Sequence, residues 1–229
     1  MREYEAILKM ISKKKKGLAI LIDPDKFDVS QMGSFLKQIP EKTTHLFVGG
    51  STVNDGETEA IVKTIKINSS LPVFLFPGDY SQITPEADAI LFLSLLSGRN
   101  AEYLIGQQVK SISKLKDTKL EIISTGYLLL DGGNQSAVSR VTNTSPIFQD
   151  DLETIVHTAL AGQHMGAKCI YLEAGSGAKF PIKPSVIMAV KQVLNIPLLV
   201  GGGIRTEAQK QEAYTAGADI VVMGTVFEN

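Results

Sequence analysis

Cysteine is almost absent from this chain, which limits both its covalent chemistry and the compartment that it fits. Among 229 residues there is one cysteine, Cys169, so no intrachain disulfide framework can form. A single thiol fits a reducing compartment, and we expect a cytoplasmic protein. Cys169 lies in the apolar run Cys169-Ile170-Tyr171-Leu172, where a buried structural thiol is the expected role of the side chain.

An excess of charge of one sign is also missing, and so is any long apolar run. The formal net charge is -1, which argues against a general nucleic-acid binder because few cations are available to displace counterions from phosphates. The basic run Lys13-Lys14-Lys15-Lys16 is expected to be a solvated face ahead of the first strand. No apolar stretch approaches the roughly eighteen residues that span a bilayer. The mixed charges near the start do not form a signal sequence.

Three common catalytic motifs cannot be found in the sequence: the P-loop, the dinucleotide-binding glycine fingerprint and the Gly-x-Ser-x-Gly elbow. His157 and His164 stand on a predicted helix, with no cysteine pair and no glutamate at ligand spacing. We interpret them as ordinary helix residues rather than metal ligands. The chemistry must therefore come from other residue types.

Short β-type runs alternate with helical patterns along the chain, and this alternation predicts the fold class. The candidate strands, most of them continuously apolar as in a covered parallel sheet, are residues 18–22, 45–48, 72–76, 89–93, 120–124, 169–172, 197–200 and 220–223. Apolar residues at helical spacing predict helices at 28–39, 101–115, 151–165, 184–194 and 206–216. Thr206 and Gln209 have the spacing of a capping box. The pattern favours an α/β fold, a (β/α)₈ TIM barrel, with residues 1–229 as one domain.

Two irregular segments interrupt the alternation. Only residues 77–88 separate the third and fourth candidate strands, and they contain two prolines. The third helix of the barrel is therefore expected to be absent or reduced to a turn. Residues 125–146 are rich in Gly, Ser, Thr and Asn and are predicted to be a functional loop. The sequence ends shortly after its last candidate strand, so no closing helix is expected within it.

Glycine-rich corners follow the last three candidate strands, and they predict a phosphate site. The corners are Glu173-Ala174-Gly175-Ser176-Gly177, Gly201-Gly202-Gly203 and Gly224-Thr225. In a (β/α)₈ barrel, the loops after the seventh and eighth strands bind phosphate through backbone N–H groups. Glu173 stands beside such donors, which makes its carboxylate a candidate base.

The first two strands end in residues that suit a cation, although each also has a simpler explanation. In residues 23–26, the carboxylates of Asp23 and Asp25 can either hold a hard cation or form a turn. In residues 49–52, Ser51 can either contact metal or phosphate or cap the next helix. Both interpretations remain open on the spacing alone.

These motifs together resemble those of the geranylgeranylglyceryl phosphate synthase family, whose relatives include bacterial heptaprenylglyceryl phosphate synthases. The segments that carry the resemblance are LIDPDK at 21–26, VGGS at 48–51, FLSLLS at 92–97, STGY at 124–127, YLEAGSG at 171–177 and VGGGIR at 200–205. The YLEAGSG segment is highly specific, whereas many phosphate-binding barrels share the triple glycine. The family has a modified barrel in which the third helix is replaced, which agrees with the short segment 77–88.

The resemblance implies a Mg²⁺-dependent prenyltransferase that joins a prenyl diphosphate to sn-glycerol 1-phosphate as an ether and releases diphosphate. It implies that Asp23 and Ser51 hold Mg²⁺ and that Glu173 accepts the proton of the attacking hydroxyl. The residues that it implies for glycerol phosphate binding are Tyr171, Leu172, Glu173, Ala174, Gly175, Ser176, Gly177, Gly202, Gly203, Gly224 and Thr225. A geranylgeranyl donor is expected, because the AGSG and STGY segments look closer to geranylgeranyl enzymes. We also expect a homo-oligomer.

Other functions compete with this one at the level of sequence. The same reaction with a heptaprenyl chain is one alternative, and another phosphate-binding barrel, such as a sugar-phosphate isomerase or a thiamine phosphate synthase relative, is a second. A phosphate-binding module without catalysis is a third. A prenyl substrate needs an apolar groove, for which residues 92–96 and 127–130 are candidates, although core packing explains these apolar strands equally well.

Overall fold

Eight parallel strands close into a barrel, as the sequence predicts. The computed structural model describes residues 2–224, and each strand pairs with its neighbours in sequence until the last returns to the first. The strands are β1 Gly17–Ile22, β2 His45–Val48, β3 Val73–Leu75, β4 Ala89–Leu95, β5 Glu121–Leu129, β6 Cys169–Glu173, β7 Leu198–Gly201 and β8 Ile220–Met223. The (β/α)₈ barrel class is confirmed, since every predicted apolar run becomes a barrel strand.

Side chains alternate between the inside and the outside of the barrel, and this alternation produces two buried clusters. The inner cluster is aromatic at its centre, where the rings of Phe47 and Phe74 stack with centroids 5.6 Å apart. The outer cluster, which includes Ile20 and Val48, fills the space between strands and helices. Burial on both faces explains why the strands are continuously apolar.

Helices surround the barrel, most of them where apolar spacing predicts them. Their bounds are α1 Glu3–Ser12, α2 Met32–Gln38, α3 Glu57–Asn68, α4 Gln107–Leu115, α5 Ala137–Thr142, α6 Leu152–His164, α7 Pro184–Val193 and α8 Glu207–Ala216. The predicted capping box is confirmed at α8, where Thr206 and Gln209 each bond the backbone of the other. α2 and α4 are shorter than predicted, because a 3₁₀ turn (Val29–Gln31) and a π-helix (Glu102–Gly106) precede them.

The helix after β3 is missing, as the short segment 77–88 predicts. A 3₁₀ turn, Tyr80–Gln82, takes its place. β3 and β4 are paired at two positions, whereas β4 and β5 are paired at seven. β4 therefore continues toward its carboxyl end without a partner on the β3 side, and the barrel wall is open there.

The functional loop predicted at residues 125–146 is partly wrong. β5 continues through this segment as far as Leu129, because its residues pair with β4 on one side and β6 on the other. α5 occupies a second part of it, and the Ser136 hydroxyl accepts a hydrogen bond from the Ser139 amide at its start. A serine N-cap can begin a helix even in a segment rich in polar residues.

Cys169 is buried, as expected from its apolar surroundings. Its sulfur lies 3.2 Å from the Thr125 hydroxyl, and burial raises the pKa of the thiol to about 12. The thiol is therefore protonated at neutral pH, which makes it a poor nucleophile.

Within residues 2–224, no helix has the length and apolar character needed to cross a bilayer. The cytoplasmic location stays a prediction.

His45, at the amino end of β2, should make the stability of the barrel depend on pH. Burial lowers the pKa of His45 to about 4, and its Nδ1 lies 2.7 Å from the Thr44 hydroxyl. The unfolded chain binds this proton at a higher pH, so stability is present above roughly pH 6.5 and is lost as the pH falls toward 4. We expect the free energy of unfolding to fall by about 2 kcal/mol between roughly pH 7 and pH 5 through this group.

Urea unfolding of wild type and His45→Phe across this pH range measures the contribution. The variant should lack that part of the pH dependence. His157→Gln, at a side chain that is 70% exposed on α6, is the control and should follow the wild type. Identical pH dependence in wild type and His45→Phe would contradict the assignment.

Candidate functional site

A deep cleft opens at the carboxyl ends of the strands and continues over the outer face of β4. Its volume is about 1430 Å³ with its open mouth included. Inside the barrel, Asp23 after β1 and Glu173 at the end of β6 both line it. Ile90 and Phe92, which pack with the outer cluster, line it outside the barrel. The opening between β3 and β4 thus joins an inner chamber to an outer groove.

The corner after β7 is glycine because its backbone is both left-handed and closely packed. Gly202 has φ 80°. A Cβ there would lie 2.4 Å from Glu173 Oε1 and 2.7 Å from the amide nitrogens of Ala174 and Gly175. Only glycine fits here without displacing the carboxylate. The corner therefore sets the position of Glu173 as well as the shape of the cleft.

Glu173, the last residue of β6, has the environment of a base. Its side chain faces the cleft although the residue is only 6% exposed, and its Oε1 accepts a hydrogen bond of 2.7 Å from the Gly175 amide. Burial raises the pKa of Glu173, while the neighbouring Tyr171 hydroxyl and the Gly175 amide act in the opposite direction. A fixed, buried carboxylate with a raised pKa is a stronger base than an exposed one, so it is suited to accept a proton.

The Tyr171 hydroxyl lies beside this carboxylate but not in hydrogen-bonding geometry with it, and it has no partner among residues 2–224. A Cβ at Gly201 would come within 2.1 Å of the hydroxyl oxygen and 3.0 Å of Glu173 Oε2. The Tyr171 ring contacts those of Phe76 and Tyr127, with centroids 5.2 and 5.5 Å away. Because an unpaired buried hydroxyl is costly, we interpret this one as available to a ligand.

Most of the residues predicted to bind glycerol phosphate meet at this end of the cleft. Those that line it are Tyr171, Glu173, Ser176, Gly202, Gly203 and Gly224. Leu172 does not, because alternation along β6 turns its side chain outward into the outer cluster. Thr225 lies outside the described residues.

The remaining three predicted residues belong to the turn after β6. The Ala174 amide donates to the Gly201 carbonyl at 3.1 Å, so it joins the two corners to each other. The Gly175 amide is held by Glu173, and Gly177 has φ 71° in the same turn. The amides of Ala174 and Gly175 therefore shape the corner, whereas Ser176, Gly202 and Gly203 line the cleft.

Asp23 is the predicted cation ligand that faces the cleft. Its side chain is 15% exposed and forms an ion pair of 2.9 Å with Lys26. A Cβ at Gly50 would lie 2.4 Å from Asp23 Oδ1, so glycine at this position lets the turn after β2 approach the carboxylate. Ser51, the next residue, also lines the cleft.

Asp25, the second carboxylate of the motif, supports a loop instead. It accepts hydrogen bonds from the Thr52 hydroxyl at 3.4 Å and the Asn54 amide at 3.3 Å. Within residues 2–224, no three His, Cys, Asp or Glu side chains converge as a metal cage would require. One carboxylate and one hydroxyl facing an open cleft do fit Mg²⁺, which commonly takes its other ligands from water and substrate phosphates.

The two segments predicted to form an apolar groove, residues 92–96 and 127–130, contribute unequally to the lining of the cleft. Phe92, Leu93 and Leu95 line the cleft, and Tyr127 lines its inner chamber. The leucines that follow Tyr127 pack in the buried clusters instead. Core packing is thus the correct explanation for most of residues 127–130.

Several lining residues are missed by the sequence reasoning. They are Tyr80 and Ile83 of the linker, Gln108 and Ser111 of α4, Val138 and Val141 of α5, and Arg205. The positions on helices look like ordinary core faces, so nothing in the sequence marks them. Arg205 follows the triple glycine closely, and its place in the motif could have identified it.

Fold and cleft together define the class of the molecule: a (β/α)₈ barrel with a candidate anion site at the carboxyl ends of its strands. Within this class, the chain belongs to the PcrB family, whose sequence profile matches residues 9–229. The resemblance drawn from the strand-end motifs is confirmed by relatives that carry the name geranylgeranylglyceryl phosphate synthase.

The similarity covers nearly the whole chain. The synthase of Zunongwangia profunda is 57% identical over 225 residues, which are 98% of this chain and 96% of that protein. The synthase of Thermococcus kodakarensis is 43% identical over 213 residues, or 91% of this chain and 83% of that protein. The crystal structure of (S)-3-O-geranylgeranylglyceryl phosphate synthase from Thermoplasma acidophilum, in complex with its substrate sn-glycerol-1-phosphate, has a TM-score of 0.92 at 36% identity. The structural alignment covers 100% of this chain and 92% of the Thermoplasma chain.

Gly202→Ala tests the geometry of the corner. A methyl group there would collide with the Glu173 carboxylate and strain the left-handed backbone, so we expect binding of inorganic phosphate at the candidate anion site to weaken by about tenfold or more, measured by calorimetry. Gly33→Ala, where an added Cβ meets nothing within 4 Å, is the matched control. Unchanged affinity in Gly202→Ala would mean that the ligand does not use this corner.

Proposed function

We propose that this protein is a prenyltransferase that joins a geranylgeranyl group to the hydroxyl of sn-glycerol 1-phosphate as an ether and releases diphosphate. The position of Glu173 carries the proposal: the carboxylate is buried where a glycine corner suited to a phosphate meets a cleft that continues as an apolar groove. Support for the two substrates comes from the names of the relatives and from the glycerol phosphate complex of the Thermoplasma enzyme.

The phosphate of sn-glycerol 1-phosphate fits the end of the cleft formed by Ser176, Gly202 and Gly203. Arg205 lines the same end, and its guanidinium donates to the Ala178 carbonyl at 2.6 Å, so a fixed cation stands near the anion. Binding the phosphate here brings the glycerol hydroxyls toward Glu173. Catalysis then gains from orientation, because a bimolecular encounter becomes a positioned one.

The chemical step is a substitution at the first carbon of the prenyl chain. The hydroxyl oxygen of the glycerol bonds to this carbon, the carbon–oxygen bond to diphosphate breaks, and its electron pair leaves with diphosphate. The hydroxyl proton passes to the Glu173 carboxylate, which lines the same chamber. The unpaired Tyr171 hydroxyl is placed to bond the attacking oxygen.

Aromatic rings surround the place where positive charge would develop on the allylic carbon. The centroids of Phe76 and Tyr127 lie 6.0 Å apart, and each ring contacts Tyr171. The π face of an aromatic ring attracts a cation within about 6 Å. These rings can therefore stabilise a carbocation-like transition state without reacting with it.

Asp23 and Ser51 are the residues that we propose to hold Mg²⁺. The metal, when bound, supplies positive charge that neutralises the leaving diphosphate. Lys26, paired with Asp23 at 2.9 Å, adds positive charge at the same side of the mouth. The two anionic groups of the substrates then lie on opposite sides of the chamber, with the reacting atoms between them.

The prenyl tail would leave the chamber through the opening between β3 and β4 and lie along the outer face of β4. Phe92 and Ile90 line this path, and Ile83 of the linker closes one side. Geranylgeranyl is the chain length that we propose, on the strength of the relatives' names. The heptaprenyl chain remains the alternative.

We also propose that a second copy packs on α4 to form a homo-oligomer. Ile105, Val109 and Ile112 are exposed at spacings of four and three residues, so they share one face of the helical segment. Burying such a stripe against its own copy removes apolar surface from water. A solution mass that is a multiple of the chain's is the expected result.

Product analysis tests the reaction. Purified protein is incubated with sn-glycerol 1-phosphate, Mg²⁺ and an equal mixture of farnesyl, geranylgeranyl and heptaprenyl diphosphates. We expect mass spectrometry to find geranylgeranylglyceryl phosphate as the main product. A heptaprenyl product would replace geranylgeranyl as the proposed donor. The absence of any ether would overturn the proposed function and favour the activity of another phosphate-binding barrel.

Glu173→Gln tests the base. We expect turnover to fall by about 10³-fold while the affinity for sn-glycerol 1-phosphate stays within a few fold, since the amide keeps the shape but cannot take the proton. In the wild type, turnover should rise with pH through the raised pKa of Glu173, because the deprotonated form is the active one.

Glu153→Gln, at a side chain that is 83% exposed on α6, is the control and should behave as wild type. Turnover that survives in Glu173→Gln would remove the residue from the mechanism. A protein that binds glycerol phosphate but makes no ether in either form would be a binding module.

A further inference from the structure

A glutamine from the linker that replaces the missing helix holds the turn after β2. Gln82 is 3% exposed. Its Oε1 accepts hydrogen bonds from the Gly50 amide at 3.3 Å and the Gly78 amide at 3.2 Å, and its Nε2 donates to the Gly50 carbonyl at 2.9 Å. One side-chain amide thus satisfies both backbone groups of Gly50.

This contact begins where the regular strand pairing ends. The Gly49 amide still donates to the Ile22 carbonyl of β1 at 3.1 Å, and the Phe76 amide donates to the Val48 carbonyl at 2.8 Å. At Gly50, the next residue, the Gln82 amide takes the place of a neighbouring strand. Buried backbone groups must be paired, so this side chain allows the chain to turn into the cleft at that point.

The turn matters because it stands against the candidate metal ligand. Gly50 is so close to Asp23 that a Cβ would lie 2.4 Å from the Asp23 Oδ1 atom, and Ser51 follows directly. Gly50 and Ser51 form the wall of the cleft, with Gln82 packed behind them. A shift of this turn would change the distance between the Ser51 hydroxyl and the Asp23 carboxylate.

Asp25 also supports the loop after β2, through hydrogen bonds that are longer and more exposed than the shortest one made by Gln82. Asp25 accepts its bonds from Thr52 and Asn54 at 3.4 and 3.3 Å, on the solvent side of the loop. Gln82 bonds the turn from the buried side and at the residue adjacent to Ser51. Its amide is therefore the contact best placed to fix the relation between Ser51 and Asp23.

We propose that Gln82 is a positioning residue for the diphosphate end of the site. Its side chain touches neither substrate and acts through Gly50, by keeping Ser51 and Asp23 in one arrangement for a Mg²⁺–diphosphate group. The inference rests on the proposed function, because it takes diphosphate as the ligand of this side of the mouth. It assigns a catalytic purpose to the linker that stands in place of a helix.

Gln82→Met tests the inference, since methionine has a similar length but no amide. Calorimetry measures Mg²⁺-dependent binding of inorganic pyrophosphate, and separately binding of sn-glycerol 1-phosphate. We expect pyrophosphate affinity to fall by about tenfold or more, as small misplacements in a site commonly do, with glycerol phosphate affinity within about twofold of wild type. The KM for prenyl diphosphate should rise accordingly, while the KM for glycerol phosphate stays unchanged.

Gln149→Met is the matched control, because Gln149 is also buried and bonds backbone groups, accepting from the Lys183 amide at 2.7 Å and donating to the Asp131 carbonyl at 2.8 Å, but does not bond the turn after β2. It should keep pyrophosphate affinity. If Gln82→Met does not fold, Gln82→Asn, which keeps the amide but cannot reach as far, is measured in its place with the same expectation.

Wild-type pyrophosphate affinity in the Gln82 variant would overturn the inference, and so would an equal loss of both ligands, which would indicate a general structural role. Either result is separable from a failure of the proposed function. The wild-type product assay decides that question independently, since an ether product together with an insensitive Gln82 variant would refute the positioning role alone.

Discussion

The early end of the pairing between β3 and β4 is the constraint on which the rest of the site depends. A closed barrel normally has its interior filled by side chains and its outside covered by helices. Here β4 continues beyond its last β3 partner, and polar groups near the free edge are bonded by α4 and by the π-helix (Glu102–Gly106) that precedes it. Gln108 donates to the Leu93 carbonyl, and the Ser94 hydroxyl donates to the Leu104 carbonyl at 3.2 Å. The wall can therefore stay open without leaving these groups unpaired.

Two glycine corners, one after β2 and one after β7, use the same physical device. At Gly50 and at Gly202, the missing Cβ lets the backbone approach a carboxylate so closely that any side chain would collide with it. The two carboxylates, those of Asp23 and Glu173, differ in their burial and in their hydrogen-bond and ion-pair partners. Asp23 is partly exposed and paired with Lys26, whereas Glu173 is buried, and burial raises its pKa. Environment rather than residue type distinguishes the proposed cation ligand from the proposed base.

The features that the sequence could predict are those set by local pattern. Continuous apolar runs identify strands that are covered on both faces, and a segment as short as 77–88 cannot hold a crossover helix. The glycine corners are visible because they follow strands. Leu172 shows the limit: it belongs to the most specific motif, yet strand alternation turns it into the outer cluster.

The remaining features depend on contacts between distant parts of the chain. Gln82 and Gln108 look like ordinary polar residues on a loop and a helix, and their roles come from backbone groups that lie 32 and 15 residues away. The extension of β5 beyond Gly126 depends on partners on both β4 and β6. Local propensity cannot reveal such partners, because tertiary pairing decides which polar groups need to be satisfied.

The floor of the chamber explains why a hydrocarbon would leave sideways. Phe47 and Phe76 have ring centroids 6.4 Å apart, and Phe76 contacts Tyr171 next to Glu173, so aromatic rings fill the barrel from its core up to the site. Such a packed interior resists the entry of a chain, since displacing close-packed side chains costs contacts on every side. The open wall beside β4 needs no such displacement. If the proposed function holds, a long prenyl group would therefore lie in the outer groove, and the residues of α4 and the linker that line it, rather than the barrel interior, would set the length that fits.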